Sequence, residues 1–233
     1  MQIGIIGAGN VGSTLARHFV RLGYRVQIAN SRGPSSLAAV VQETGARAVT
    51  AAEAARAADL IILSIPLSKV NELPLDLFVH TPQHTALVDT GNYYPGLRDD
   101  PIPEIDAGVL ESEWVAKTLR RSVIKAFNNI GVLSLQDRGR PAGVPGRIAL
   151  PVAGDHFAAK HFVMQLVGEI GFDAVDIGPL TESWRQQPGT PAYCHDLDAV
   201  SLRAALAEAK HEQIARYRHE ANERAKSILG TSS

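Results

Sequence analysis

Residues 7–12 read Gly7-Ala8-Gly9-Asn10-Val11-Gly12, a G-x-G-x-x-G run directly after the apolar stretch Ile3-Gly4-Ile5-Ile6. By itself that spacing is weak; between a buried strand and an opening helix it points to dinucleotide chemistry. Gly7 permits a sharp turn, Gly9 lets a pyrophosphate approach the backbone, and Gly12 lets helix and sheet pack closely. The helix N-terminus adds free amide hydrogens and the positive end of a dipole.

The end of the next strand selects between dinucleotides. NAD-selective sites place an acid about 20 residues past the glycines, on the ribose hydroxyls. Here Asn30 stands there, followed by Ser31 and Arg32. An acid would repel a 2′-phosphate, whereas an amide, a hydroxyl and a guanidinium would bind it, so NADP(H) is expected, with Ser31 and Arg32 as the phosphate clamp. Asn30-Ser31-Arg32-Gly33-Pro34 also reads as a plain polar turn. Ser64-Ile65-Pro66 closes another strand where a doubly wound sheet presents its ligand crevice. Asp89-Thr90-Gly91-Asn92-Tyr93 and Lys125-Ala126-Phe127-Asn128-Asn129 follow two more, making Asn92 and Asn128 candidates for the nicotinamide end.

The elements that would position these residues follow from hydrophobic patterning. Strands are expected at 3–6, 25–29, 47–49, 60–65, 86–89 and 123–126. Helices are expected from Val11 to Leu22, ended by Gly23, from Ser35 to Thr44, and after the capping box Thr50-Ala51-Ala52-Glu53. Strands joined by helices of this length imply right-handed crossovers. The expected fold is therefore α/β, a doubly wound, mostly parallel Rossmann sheet over residues 1–130. A small C-terminal α/β domain is expected over 131–233, with a strand, helix and strand at 147–153, 157–170 and 173–177. Leu180 to Asp196 has no clear period, and a long terminal helix is expected from an Asp196 cap to Ile228.

Composition narrows the function. The chain has 233 residues, 45% of them hydrophobic, and a formal net charge of -1, which fits a soluble globular protein without nucleic acid as its main partner. Apolar runs such as Leu60 to Leu67 are too short for a membrane helix, and the N-terminus reads as a strand rather than a signal peptide. The single cysteine, Cys194, excludes an intrachain disulfide and a Cys-rich zinc site. A cytoplasmic protein is expected, without membrane partner. The pairs His80/His84 and His156/His161 lack the company a metal site needs, so no metal is expected. Cys194-His195 has no accompanying oxyanion motif.

Gly-Ala-Gly-Asn-Val-Gly at 7–12, Asn30-Ser31-Arg32, Ser64-Ile65-Pro66 and Ile177-Gly178-Pro179-Leu180 together resemble the F420-dependent NADP oxidoreductases. The resemblance covers nearly the whole length. It implies a Rossmann domain with a small C-terminal domain, and NADPH along the strand ends. Ala8, Gly9, Asn10 and Val11 would meet the pyrophosphate, and Ser31 and Arg32 the 2′-phosphate. It also implies a deazaflavin (F420) or flavin as the second redox partner, and a homodimer paired through the 197–228 helix. Trp184, Arg185 and Tyr193 lie in the region expected to face that partner. No Tyr-x-x-x-Lys proton relay occurs, which favours a ring acceptor that spreads charge over one that needs a positioned acid. No catalytic residue is identified. A small carbonyl or imine acceptor, and a non-catalytic NADP(H) sensor, are the competing readings.

Overall fold

Short apolar runs joined by amphipathic helices assemble into a parallel sheet. The computed structural model describes residues 1–56 and 58–229. Its elements are, in chain order, β1 (Gln2–Ile6), α1 (Asn10–Arg21), β2 (Arg25–Ala29), α2 (Ala38–Thr44), β3 (Arg47–Ala48) and α3 (Ala51–Arg56). There follow β4 (Leu60–Leu63), β5 (Ala86–Asp89), α4 (Pro103–Asp106), α5 (Glu111–Leu119), β6 (Ile124–Lys125) and α6 (Val132–Asp137). The last are β7 (Ala149–Val152), α7 (Phe157–Glu169), β8 (Asp173–Asp176), α8 (Ala199–Glu208) and α9 (Ile214–Leu229).

The first six strands form one parallel sheet in the order β3-β2-β1-β4-β5-β6. That is the Rossmann order, and its switch point lies between β1 and β4, where a ligand crevice opens beyond the strand ends. The pleat divides the core. Ile3, Ile5, Ile28, Leu60, Ile62 and Val88 pack with Leu15 and Phe19 of α1 and with Val163 and Leu166 of α7. Ile6, Ile61, Leu63 and Leu87 pack with Ala54 and Ala55 of α3 and with Trp114 and Val115 of α5. Local signals held where they were strong: Thr50 N donates to Glu53 Oε2 at 2.8 Å and Glu53 N to Thr50 Oγ1 at 3.2 Å, closing the expected capping box.

β7 and β8 form a separate parallel pair, tied to the edge of the large sheet by an antiparallel bridge between Lys125 and Ala153. Leu150, Val152 and Phe172 share the core of α1 and β1, so this unit is packed into the main body.

The C-terminal region departs from expectation. The 196–228 helix is two helices, and the cap is Asp198, whose carboxylate accepts from Ser201 N at 2.8 Å. Asp196 instead accepts from Ser134 Oγ at 2.8 Å. α8 stops because Ala209 takes an extended conformation, buried with Leu110 and Trp184. The Arg185 guanidinium donates to the carbonyls of Leu206, at 3.1 Å, and Ala209, at 3.4 Å. A cation on the last carbonyls ends a helix without Gly or Pro, so tertiary contacts override an unbroken helical pattern. Among the described residues no helix is long and apolar enough to cross a membrane.

Candidate functional site

The glycine turn works as three different positions. Gly7 has φ +112°, and a Cβ there would lie 2.0 Å from the Ser64 carbonyl oxygen. A Cβ on Gly12 would lie 2.0 Å from the Gly7 oxygen. A Cβ on Gly9 would meet nothing within 4 Å. Gly9 is also the N-cap of α1, and no side chain caps that helix. The first-turn amides and an open space thus coincide, which suits an anion lying against the backbone.

At the end of β2, Asn30 orders its own turn. Its Oδ1 accepts from Arg32 N at 3.0 Å, and its Nδ2 donates to Ser36 Oγ at 2.9 Å. The amide side chain mimics a backbone turn, and Ser31 and Arg32 are left exposed beside it. Asn30 therefore shapes the loop that presents the other two.

Beyond the strand ends lies a cleft of about 430 Å³. It brings together Gly9, Asn10 and Val11 of the turn, Ser64, Ile65 and Pro66 after β4, and Asn92 and Asn128. Gly7, Ala8 and Gly12 do not line it, nor do Asn30, Ser31 and Arg32. Asn92 Nδ2 donates to the Asn128 carbonyl at 2.8 Å, and Asn128 Nδ2 donates to Asn92 Oδ1 at 3.0 Å. Phe127 and Cys194, both cleft-lining, have φ of +62° and +55°. Left-handed backbone at non-glycine residues is strain of the sort that collects at functional sites.

The loop carrying Asn92 is held from below. Buried Asp89 accepts from Gly91 N at 2.7 Å, Ser112 Oγ at 2.8 Å and Lys125 Nζ at 2.9 Å. Lys125 Nζ, itself fully buried, also donates to the Gly91 carbonyl at 2.5 Å. This pair anchors a loop and takes no place in the cleft lining.

Tyr94, Arg98 and Tyr193 also line the cleft, and of these the sequence points to Tyr193 alone. The two phenol oxygens are 2.8 Å apart, and Asn92 Nδ2 donates to the Tyr193 oxygen at 3.1 Å. Burial pushes Tyr94 above the ordinary phenol range and Tyr193 well above it, so both carry their protons at neutral pH. Trp184 and Arg185 lie elsewhere: Arg185 stacks over Trp184 at 4.3 Å and caps α8. Burial also pushes the Cys194 thiol up, which leaves Cys194-His195 without a thiolate. Among the described residues no group of three or more His, Cys, Asp or Glu could hold a metal ion.

Residues 2–93, from β1 through the Asn92 loop, match the family described as NADP oxidoreductase, coenzyme F420-dependent. The chain belongs to that family. A solved structure of a hypothetical protein, SMa0349 of Sinorhizobium meliloti, is 32% identical and covers 84% of this chain and 95% of its own, with a TM-score of 0.71. A second, from Arthrobacter sp. FB24 and provisionally named an F420-dependent NADP reductase, is 25% identical over 78% of this chain and 87% of its own, with a TM-score of 0.61. Among curated proteins, YjhV of Escherichia coli (strain K12) is 51% identical over 77 residues, which are 33% of this chain and 56% of that protein. The chain thus matches only a little over half the length of that relative.

Proposed function

We propose that the chain binds NADP(H) along the carboxyl edge of the large sheet and passes hydride between it and a deazaflavin of the F420 type, or a flavin. The observation that carries this reading is the contrast among the glycines: Gly7 and Gly12 are closed by backbone, while Gly9 opens into space at an uncapped helix N-terminus. Gly9, Asn10 and Val11 would hold the pyrophosphate, and Ser31 and Arg32 the 2′-phosphate. Ser64, Ile65, Pro66, Asn92 and Asn128 would border the nicotinamide end. When bound, the nucleotide supplies the hydride. Ile65, Pro66, Ile130 and Val132 give the cleft an apolar wall suited to a flat ring. The mutually bonded Asn92 and Asn128 add a fixed polar part to the same lining, so the chain's contribution is orientation and exclusion of water. The name of the Arthrobacter relative supports a deazaflavin as the acceptor.

The test combines titration with NADPH and steady-state oxidation of NADPH by F420, FMN and FAD. At least one ring acceptor is expected to turn over. Arg32→Glu is expected to raise the KM for NADPH about 10- to 100-fold, the worth of a charge-assisted contact, and to change that for NADH little. Tight NADPH binding without oxidation by any ring acceptor would sink the proposal, and equal effects of Arg32→Glu on both nucleotides would remove the clamp.

A further inference from the structure

The tyrosine pair has no task in hydride transfer to a ring, yet it stands in the same cleft as the glycine turn. Its hydrogen bonding is directional. Asn92 Nδ2 donates to the Tyr193 oxygen at 3.1 Å, and Tyr94 lies 2.8 Å from that oxygen. When Tyr94 also donates, Tyr193 accepts twice and keeps its own O–H to give away; the same two donors stabilise the phenolate that remains. Among the described residues Arg98 is the one charged side chain lining this cleft. It lies 5.3 Å over the Tyr94 ring, and its Nη2 donates to the Asn92 carbonyl and, at 3.4 Å, to the buried Asp99 carboxylate.

We propose that this chain also reduces small carbonyl compounds bearing a carboxylate, with Tyr193 as the proton donor, Tyr94 as its relay and Arg98 as the carboxylate anchor. The inference rests on the NADPH reading above and goes beyond transfer to a ring acceptor. In the step, the carbonyl carbon accepts a hydride from NADPH, which leaves as NADP⁺, and the C=O π bond breaks. The carbonyl oxygen takes the Tyr193 proton to give the hydroxy acid, and the phenolate regains a proton from water through Tyr94. One carbonyl, one NADPH and one proton yield one alcohol and one NADP⁺. The half-buried phenols favour a carbonyl over an imine. An alkoxide is basic enough to take a proton from a phenol held this high, whereas an imine nitrogen must be protonated before hydride arrives.

Three measurements test it on the full chain. First, NADPH oxidation is followed with 2-oxo and 3-oxo acids and with their methyl esters; the acids are expected to have kcat/KM at least about tenfold higher, and Arg98→Met to narrow that gap. Second, Tyr193→Phe is expected to lower kcat for the acids about 100-fold or more, with the wild-type rate slowed in D₂O. Third, phenolate absorbance of the nucleotide-free protein is titrated with base. Four tyrosines, the pair among them, are expected to ionise late in the wild type, and three in Tyr193→Phe, with Tyr94 later still because the hydrogen bond with Tyr193 that lowers it is gone. If Tyr193→Phe fails to fold, the D₂O effect and the acid-against-ester comparison with Arg98→Met decide. Tight NADPH binding with no oxo acid turned over, or an undiminished rate in Tyr193→Phe, would overturn this inference and leave the ring-acceptor reading standing. Absence of NADPH binding would overturn both.

Discussion

Gly7, Gly9 and Gly12 share a residue type but differ in what a side chain would meet, and that difference separates folding from binding. Gly9 has φ −78°, which alanine adopts freely, and open space beside it. Gly9→Ala is therefore expected to melt within a degree or two of the wild type while weakening NADPH about tenfold or more, as read by fluorescence titration. Gly12→Ala drives a methyl group into backbone and is expected to cost about 1–3 kcal/mol or more in denaturant unfolding. If Gly9→Ala kept full affinity, the phosphates would not lie where the turn opens. This distinction could be seen in the chain itself, because strand, glycines and helix are adjacent there and each glycine's task is local. The tyrosine pair could not: Tyr94 and Tyr193 are 99 residues apart, and neither lies in a periodic segment.

Between elements, the decisive contacts are those that hold the loop after β5. Lys125 of β6 and Asp89 of β5 are both buried and face one another at 2.9 Å. Lys125→Met strips a buried carboxylate of its counter-charge and is expected to cost about 3–5 kcal/mol, measured by urea unfolding. A loss under about 1 kcal/mol would mean that Gly91 N and Ser112 suffice to hold Asp89. On its outer side the same loop meets α9: Arg218 lies 5.2 Å over the Tyr93 ring, and Asn222 donates to the Pro95 carbonyl at 3.1 Å. β1, β4 and β5 were legible because strands buried on both faces are near-continuous apolar runs. The break between α8 and α9 was not, because Arg185 and Trp184 make it from a distant segment.

For the molecule as a whole, one buried acid governs a slope in stability. Burial raises Glu111 to about 7, against the opposing pull of Lys125, Arg218 and the Tyr93 amide. Between the unfolded value of 4.5 and about 7, the folded chain keeps a proton that the unfolded chain releases. Its contribution to stability is therefore full below that window, falls as pH rises through it and levels off above it. Glu111→Gln is expected to remove this slope and to be more stable than wild type at pH 8 by about 2–4 kcal/mol, from about 1.4 kcal/mol per pH unit. Parallel denaturation curves for both proteins from pH 4 to 9, taken as a difference, would show it; a constant difference would refute it. The cleft itself has walls drawn from distant parts of the chain, with Asn92 bonded to Tyr193 across 101 residues. During synthesis, the glycine turn leaves the ribosome long before Tyr193, which lines the same cleft. A nascent chain would therefore display its open turn at a time when the tyrosine that completes the cleft has yet to be made.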